Sequence, residues 1–131
     1  MKQRSAVVID DEPDVTTYLG TLLSDNGWRV RTANGVDQGL KLLAAERPDA
    51  VLLDLMMPER GGLAALVAIR KDPSLAGLPV IIVSGIQEKL TSDYHAFLER
   101  ARHYRADAYL DKPVVPAELL RTLDALVTAP V

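Results

Sequence analysis

The sequence predicts an α/β fold: an open, doubly wound (βα)5 sheet of five parallel strands, expected in the order 2-1-3-4-5. Two observations carry this expectation. Short apolar runs rich in β-branched residues alternate with segments of helical spacing, five times over, the pattern of βαβ units and a parallel sheet. Right-handed crossovers then place helices on both faces. Five repeats are also too few for an eight-stranded closed barrel, which leaves the open sheet.

The strands are expected at 5–10, 28–33, 50–54, 80–84 and 108–110. Four are short enough to be buried. The second, Trp28-Arg29-Val30-Arg31-Thr32-Ala33, alternates charged and apolar residues as an edge strand does. In the first helical segment Val15, Tyr18, Leu19, Leu22 and Leu23 share a face, Pro13 suits the first helical position, and Asn26-Gly27 supplies a stop. Val36, Leu40, Leu43 and Ala44 form a second stripe, and Leu63, Leu66, Val67 and Arg70 a third. The fourth stripe, Leu90, Tyr94, Phe97, Leu98 and Ala101, predicts a helix within 88–104. The fifth, Leu119, Leu120, Leu123, Leu126 and Val127, opens at Pro116. No linker or internal repeat interrupts the pattern, so residues 1–131 are expected to form a single domain.

Composition removes whole classes of function. With no cysteine, thiolate catalysis, disulfides and zinc–thiolate sites are excluded. A net charge of −3 does not support broad electrostatic binding to nucleic acid or to an anionic membrane. No run approaches the roughly 18 apolar residues of a membrane helix. Lys2 and Arg4 precede only Ala6-Val7-Val8-Ile9, shorter than the apolar stretch of a signal peptide. The expected location is the cytoplasm.

The polar residues at the strand ends point to the chemistry. Asp10 and Asp11 follow the first strand, Asp54 ends the third, Ser84 ends the fourth and Lys112 follows the fifth. In a parallel sheet these ends share one edge, where open α/β sheets bind ligands. Strands 1 and 3 are neighbours in the expected order, so Asp10, Asp11 and Asp54 should converge. Clustered carboxylates repel and need a cation, and all-oxygen donors suit Mg²⁺. A carboxylate nucleophile beside a divalent ion, an ammonium and a hydroxyl is equipped for phosphoryl transfer. Taken singly, Asp10-Asp11 also reads as a helix cap, Asp54 as a turn residue, and Ser84-Gly85 and Lys112-Pro113 as loops. Their joint placement at strand ends favours the functional reading.

The chain resembles the receiver domain of two-component response regulators, the chemotaxis-regulator-like superfamily, over essentially its whole length. The resemblance rests on Val8-Ile9-Asp10-Asp11-Glu12-Pro13, on Leu52-Leu53-Asp54-Leu55-Met56-Met57-Pro58 and on Gly62, eight residues after Asp54. Val83-Ser84-Gly85 and Tyr109-Leu110-Asp111-Lys112-Pro113 complete it. It implies a signalling domain rather than a conventional enzyme. Asp54 would accept a phosphoryl group from a histidine kinase, a phosphotransfer protein or a small acyl phosphate. Asp11, Asp54 and the backbone carbonyl of Met56 would bind Mg²⁺, with Mn²⁺ as an alternative ion, and Asp10 would act mainly through water. Ser84 and Lys112 would hold the phosphoryl oxygens, and Tyr109 would be the aromatic switch that responds to Ser84. The peptide before Pro113 would be cis. A downstream protein or a second copy would meet the surface of the fourth helix, fifth strand and fifth helix. The apolar residues two positions after Asp54 and Ser84, Met56 and Ile86, would flank the path of a hydrolytic water and slow dephosphorylation.

Three departures from the family pattern concern the output side. Ser84 and Lys112 stand 28 positions apart, longer than in compact receivers. Arg105 replaces the small residue common four before the switch aromatic, and Gly61 stands where an Asp often precedes the loop glycine. Two competing functions fit the sequence less well. A Mg²⁺-dependent phosphohydrolase of the haloacid dehalogenase type needs an acid two residues after its nucleophile, where this chain has Met56. An interaction module independent of phosphorylation would not need the full set of acidic, hydroxyl and Lys positions. The basic group Arg100, Arg102, His103 and Arg105 reads first as a solvated helix face and second as a docking patch.

Overall fold

The computed structural model describes residues 3–55, 57, 61–85 and 94–127. The chain runs β1 (Ser5–Ile9), α1 (Pro13–Asp25), β2 (Arg29–Ala33), α2 (Val36–Ala45), β3 (Ala50–Asp54), α3 (Gly62–Lys71), β4 (Val80–Ser84), α4 (Tyr94–His103), β5 (Ala108–Asp111) and α5 (Pro116–Leu126). A 3-10 turn at Pro73–Leu75 precedes β4. All strand pairs are parallel, in the order β2-β1-β3-β4-β5. This is the expected doubly wound fold.

Strand alternation splits the core in two. Val7, Ile9, Val51, Leu53, Val80 and Ile82 pack beneath α2, α3 and α4, against Leu43, Leu66, Ile69 and Ala101. Ala6, Val8, Leu52, Ile81 and Val83 point to the opposite face, against Leu19 and Leu23 of α1 and Leu119 and Leu123 of α5. Because β1, β3 and β4 are covered on both faces, every residue in them is buried. Each fully buried Leu or Ile contributes about 1.5–3 kcal/mol of transfer free energy. Only Ala33 is fully buried in the edge strand β2, as the charged alternation anticipated.

Burial also adjusts the helical stripes. On α3 the buried residues are Gly62, Ala65, Leu66 and Ile69, so of the expected stripe Leu66 is buried while Leu63, Val67 and Arg70 are half-buried. Tyr18 is 46% exposed. Its hydroxyl donates to the Val114 carbonyl at 3.2 Å instead. Leu90 lies outside the described residues.

Two helices end in the same hydrogen-bonded turn. After α1 the Gly27 amide donates to Ser24 O and the Trp28 amide to Leu23 O. After α4 the Arg105 amide donates to Arg102 O and the Ala106 amide to Ala101 O. This paired-bond turn requires a left-handed residue, usually Gly. Gly27 fills that place at φ 88° in the first turn, and Arg105 fills it at φ 62° in the second.

Candidate functional site

The parallel register brings the polar strand ends together. Ile9 lies opposite Leu53, so Asp10 and Asp54 emerge side by side from β1 and β3. Asp54 lies opposite Val83, and Ser84 opposite Asp111, which leads directly to Lys112. Asp10, Asp54 and Ser84 are all buried.

Hydrogen bonds tie the strand ends to one another. The Asp10 amide donates to Ala33 O at the end of β2. Asp10 Oδ1 accepts the Glu12 amide at 2.9 Å, and the Asp10 carbonyl accepts Asn34 Nδ2 at 3.0 Å. The Lys112 amide donates to Ser84 O at 2.8 Å, tying the β5 end to β4. The Lys112–Pro113 peptide is cis. Below Asp54, α3 begins so close to β3 that a Cβ on Gly62 would lie 1.8 Å from the Asp54 carbonyl oxygen. Only a residue without a side chain fits there.

One ammonium faces several carboxylates. Lys112 Nζ lies 2.9 Å from Asp10 Oδ2, 3.1 Å from Glu12 Oε1 and 3.6 Å from Asp54 Oδ2. Burial opposes the Lys112 charge, but the hydrogen bond to Asp10 and the charges of Asp54 and Asp10 outweigh it and raise the pKa. Asp10 is also shifted up, because burial outweighs its share of the Lys112 interaction. The two directions have different causes: the lysine gains from several anions at once, whereas for Asp10 burial is the larger effect.

Carboxylate oxygens of Asp10, Asp11, Glu12 and Asp54 lie within 4.8 Å of one another. When all are ionised, these four carboxylates face the Lys112 ammonium, which leaves a clear negative excess among the described residues. The donors are all oxygen, and Asp11 and Glu12 open the cluster to solvent while Asp10 and Asp54 are buried. This set fits a hard divalent cation such as Mg²⁺.

Reasoning from sequence missed two members of the arrangement. Glu12 supplies a carboxylate to Lys112, although its side chain is largely exposed. Asn34 at the end of β2 secures Asp10, and also donates to Thr16 Oγ1 at 3.3 Å. Asn34 carries the same signal as the others, a polar residue just past a strand. Tyr109 lies in β5 opposite Ile82, two residues short of Ser84 along the sheet, and is 39% exposed. Met56 and Ile86 lie outside the described residues.

Comparison with known proteins agrees with this geometry. The family model for the response regulator receiver domain matches residues 6–124. The chain is 32% identical to Protein PilH of Pseudomonas aeruginosa over 92% of this chain and 94% of that protein. It is 36% identical to response regulator MprA of Mycolicibacterium vanbaalenii over 92% of this chain, but spans only 48% of that relative. A solved response regulator receiver domain protein from Clostridium thermocellum superposes with a TM-score of 0.79 at 27% identity, covering 94% of this chain and 93% of the other. The chain belongs to the response regulator receiver domain family.

Proposed function

We propose that Asp54 is the phosphoacceptor of a two-component signalling system, and that the chain acts in the cytoplasm as a single receiver domain over residues 1–131. The observation that carries this reading is the meeting of Asp54 with Asp10, Asp11 and Lys112 at one sheet edge. A sensor histidine kinase or phosphotransfer protein would donate the group. One Asp54 carboxylate oxygen forms the new bond to phosphorus as the donor's P–N bond breaks, or its P–O bond when the donor is an acyl phosphate. The Lys112 ammonium and the Ser84 hydroxyl take the phosphoryl oxygens. Asp11, Asp54 and the Met56 carbonyl would hold Mg²⁺, with Asp10 acting through water. The ion, when bound, neutralises charge on the transferred group.

Asp54 and Ser84 are both buried, and Tyr109 lies farther back along the neighbouring strand with its side chain partly in solvent. Recruitment of the Ser84 hydroxyl to a phosphoryl oxygen opens space into which the Tyr109 ring can move. That motion would alter the α4–β5–α5 surface, where a downstream protein or a second copy would bind.

Intact-mass measurement with acetyl phosphate and Mg²⁺ tests the assignment. The parent gains one phosphoryl group and Asp54→Asn gains none, because an amide is a poor nucleophile. Equal labelling of the two proteins would end this reading. A phosphoryl mimic at Asp54 should also move amide chemical shifts along β5 and the start of α5, and silence there would remove the switch.

A further inference from the structure

We infer that Arg105, with Arg102 beside it, is a docking point for an acidic segment of a partner protein, at the end of the sheet opposite the phosphoacceptor.

The first observation is conformational. The turns after α1 and α4 share one hydrogen-bond pattern, and each packs an apolar residue next: Trp28 in one, Ala106 in the other. Gly27 takes the left-handed position without cost, and Arg105 takes the same position with a Cβ. A left-handed side-chain-bearing residue is disfavoured, and glycine would relieve it. A basic residue near a helix C-terminus complements the helix dipole. Arg100, Arg102 and His103 already do so from inside the last turn of α4, so the dipole does not explain an arginine in the strained place.

The second observation is chemical. Arg105 borders a cleft of about 300 Å³ lined also by Arg70, Leu75, Ala76, Gly77 and Asp107. Arg70 is committed: it donates to the carbonyls of Tyr104, Leu78 and Arg105 and to Asp107 Oδ2. Asp107 is committed too, since the same oxygen accepts the Val80 amide at 2.8 Å. The Arg70 bond to the Arg105 carbonyl, at 2.7 Å, helps hold the strained backbone. The Arg105 guanidinium is exposed, and no ion pair or hydrogen bond of its side chain is found among the described residues. The same holds for Arg100 and Arg102. The fold therefore spends strain to present a guanidinium at a cleft whose other charges cancel.

Charge complementarity selects the occupant. Arg100 and Arg102 in the last turn of α4 and Arg105 just after it have no ion pair among the described residues, on a chain whose net charge is −3. A short acidic segment can meet them, and a carboxylate side chain can enter the cleft beside Arg105 in bidentate contact. A long polyanion such as nucleic acid would also meet the acidic remainder of the surface. The site borders the proposed output face, but it does not depend on phosphorylation of Asp54, and its test uses the unphosphorylated chain.

The test is fluorescence anisotropy of a short fluorescein-labelled peptide of alternating glutamate and alanine, titrated with the full chain. Arg105→Gly should weaken binding about tenfold, the scale of one charge-assisted hydrogen bond. It should also raise the Tm, because glycine relieves the left-handed position. Arg105→Lys should lose less affinity, and Arg121→Ala on α5 should bind as the parent does. Four results would overturn the inference: no binding by the parent, undiminished binding by Arg105→Gly, equal weakening by Arg121→Ala, or a lower Tm for Arg105→Gly. Tighter binding of a single-stranded oligonucleotide would replace the acidic partner with nucleic acid. Self-association that depends on Arg105 and excludes the peptide would replace it with a second copy.

Discussion

Alanine at three helical glycines should give three different results, and Gly62→Ala should be the worst. In a helix interior the change Gly→Ala is worth up to about 1 kcal/mol in propensity, so differences among the sites report what the new methyl group meets. At Gly20, within α1, the methyl would lie 3.6 Å from Thr32 Cγ2, an ordinary contact. Gly20→Ala should therefore stabilise by about 0.5–1 kcal/mol. At Gly39, within α2, it would lie 2.5 Å from Ile9 Cδ1 and 2.8 Å from Ile9 Cγ1. Ile9 is fully buried and has little room to turn, so overpacking should exceed the propensity gain and leave a net loss of about 1 kcal/mol. At Gly62 the obstacle is backbone: the Asp54 carbonyl oxygen at 1.8 Å and its carbon at 2.7 Å. The start of α3 or the end of β3 must move by more than an ångström. Gly62 is also the first residue of α3, where the propensity gain is smallest. The expected loss is about 3 kcal/mol, the upper end of overpacking, or a fall in Tm of roughly 10 °C for a domain of this size. Circular dichroism melts of the three variants and the parent measure the ladder. The Gly62→Ala protein should also label poorly with acetyl phosphate, since the displaced residue carries Asp54. If Gly62→Ala melts within a degree or two of the parent, or if Gly20→Ala melts lower than Gly62→Ala, the reasoning fails.

Three further outcomes are expected. Asp10 has a higher pKa in the fold than its ordinary value of 3.8, because burial outweighs Lys112. Its contribution is therefore full below pH 3.8 and lost as the pH rises through the folded pKa; Asp10→Asn in chelator should flatten that part of the Tm–pH curve, and an unchanged slope would contradict it. Mg²⁺ at about a hundred times its dissociation constant should stabilise the parent by about 2.7 kcal/mol, read as a rise in Tm. That gain should be mostly lost in Asp11→Asn, and an equal gain in the variant would place the ion elsewhere. Met56 and Ile86 cannot orient water by hydrogen bonding, so Met56→Asn with Ile86→Glu should speed loss of the Asp54 phosphoryl group about tenfold or more, followed by intact mass over time; an unchanged rate would refute this.

Most of the fold was legible because its signals are local. Buried parallel strands read as short apolar runs such as Val51-Leu52-Leu53, and Pro13, Gly27 and Pro116 mark helix boundaries through backbone constraints that each residue carries with it. The site was legible in part for a related reason. A parallel sheet aligns all its strand ends, so Asp10, Asp54 and Ser84 could be assigned to one edge from sequence positions alone. Contacts that depend on packing were not legible. The sequence holds an exposed-looking Glu12, but only the path of the β5–α5 loop brings Lys112 within 3.1 Å of it. Gly62 stands out as a motif residue, yet its necessity comes from how deeply α3 sinks against β3. The stripe on α3 was legible only at Leu66, because Ala65 and Gly62 bury well where little space remains, and hydrophobicity alone favoured the larger Val67. Arg105 was visible as a departure from pattern. That it bears a left-handed backbone beside a cleft was decided by the turn after α4 and by Arg70, whose partners lie 8 to 37 residues away in the chain. Sequence carries what each residue prefers for itself; the tertiary structure decides which preferences are overruled, because only packing sets the distances between groups remote in the chain.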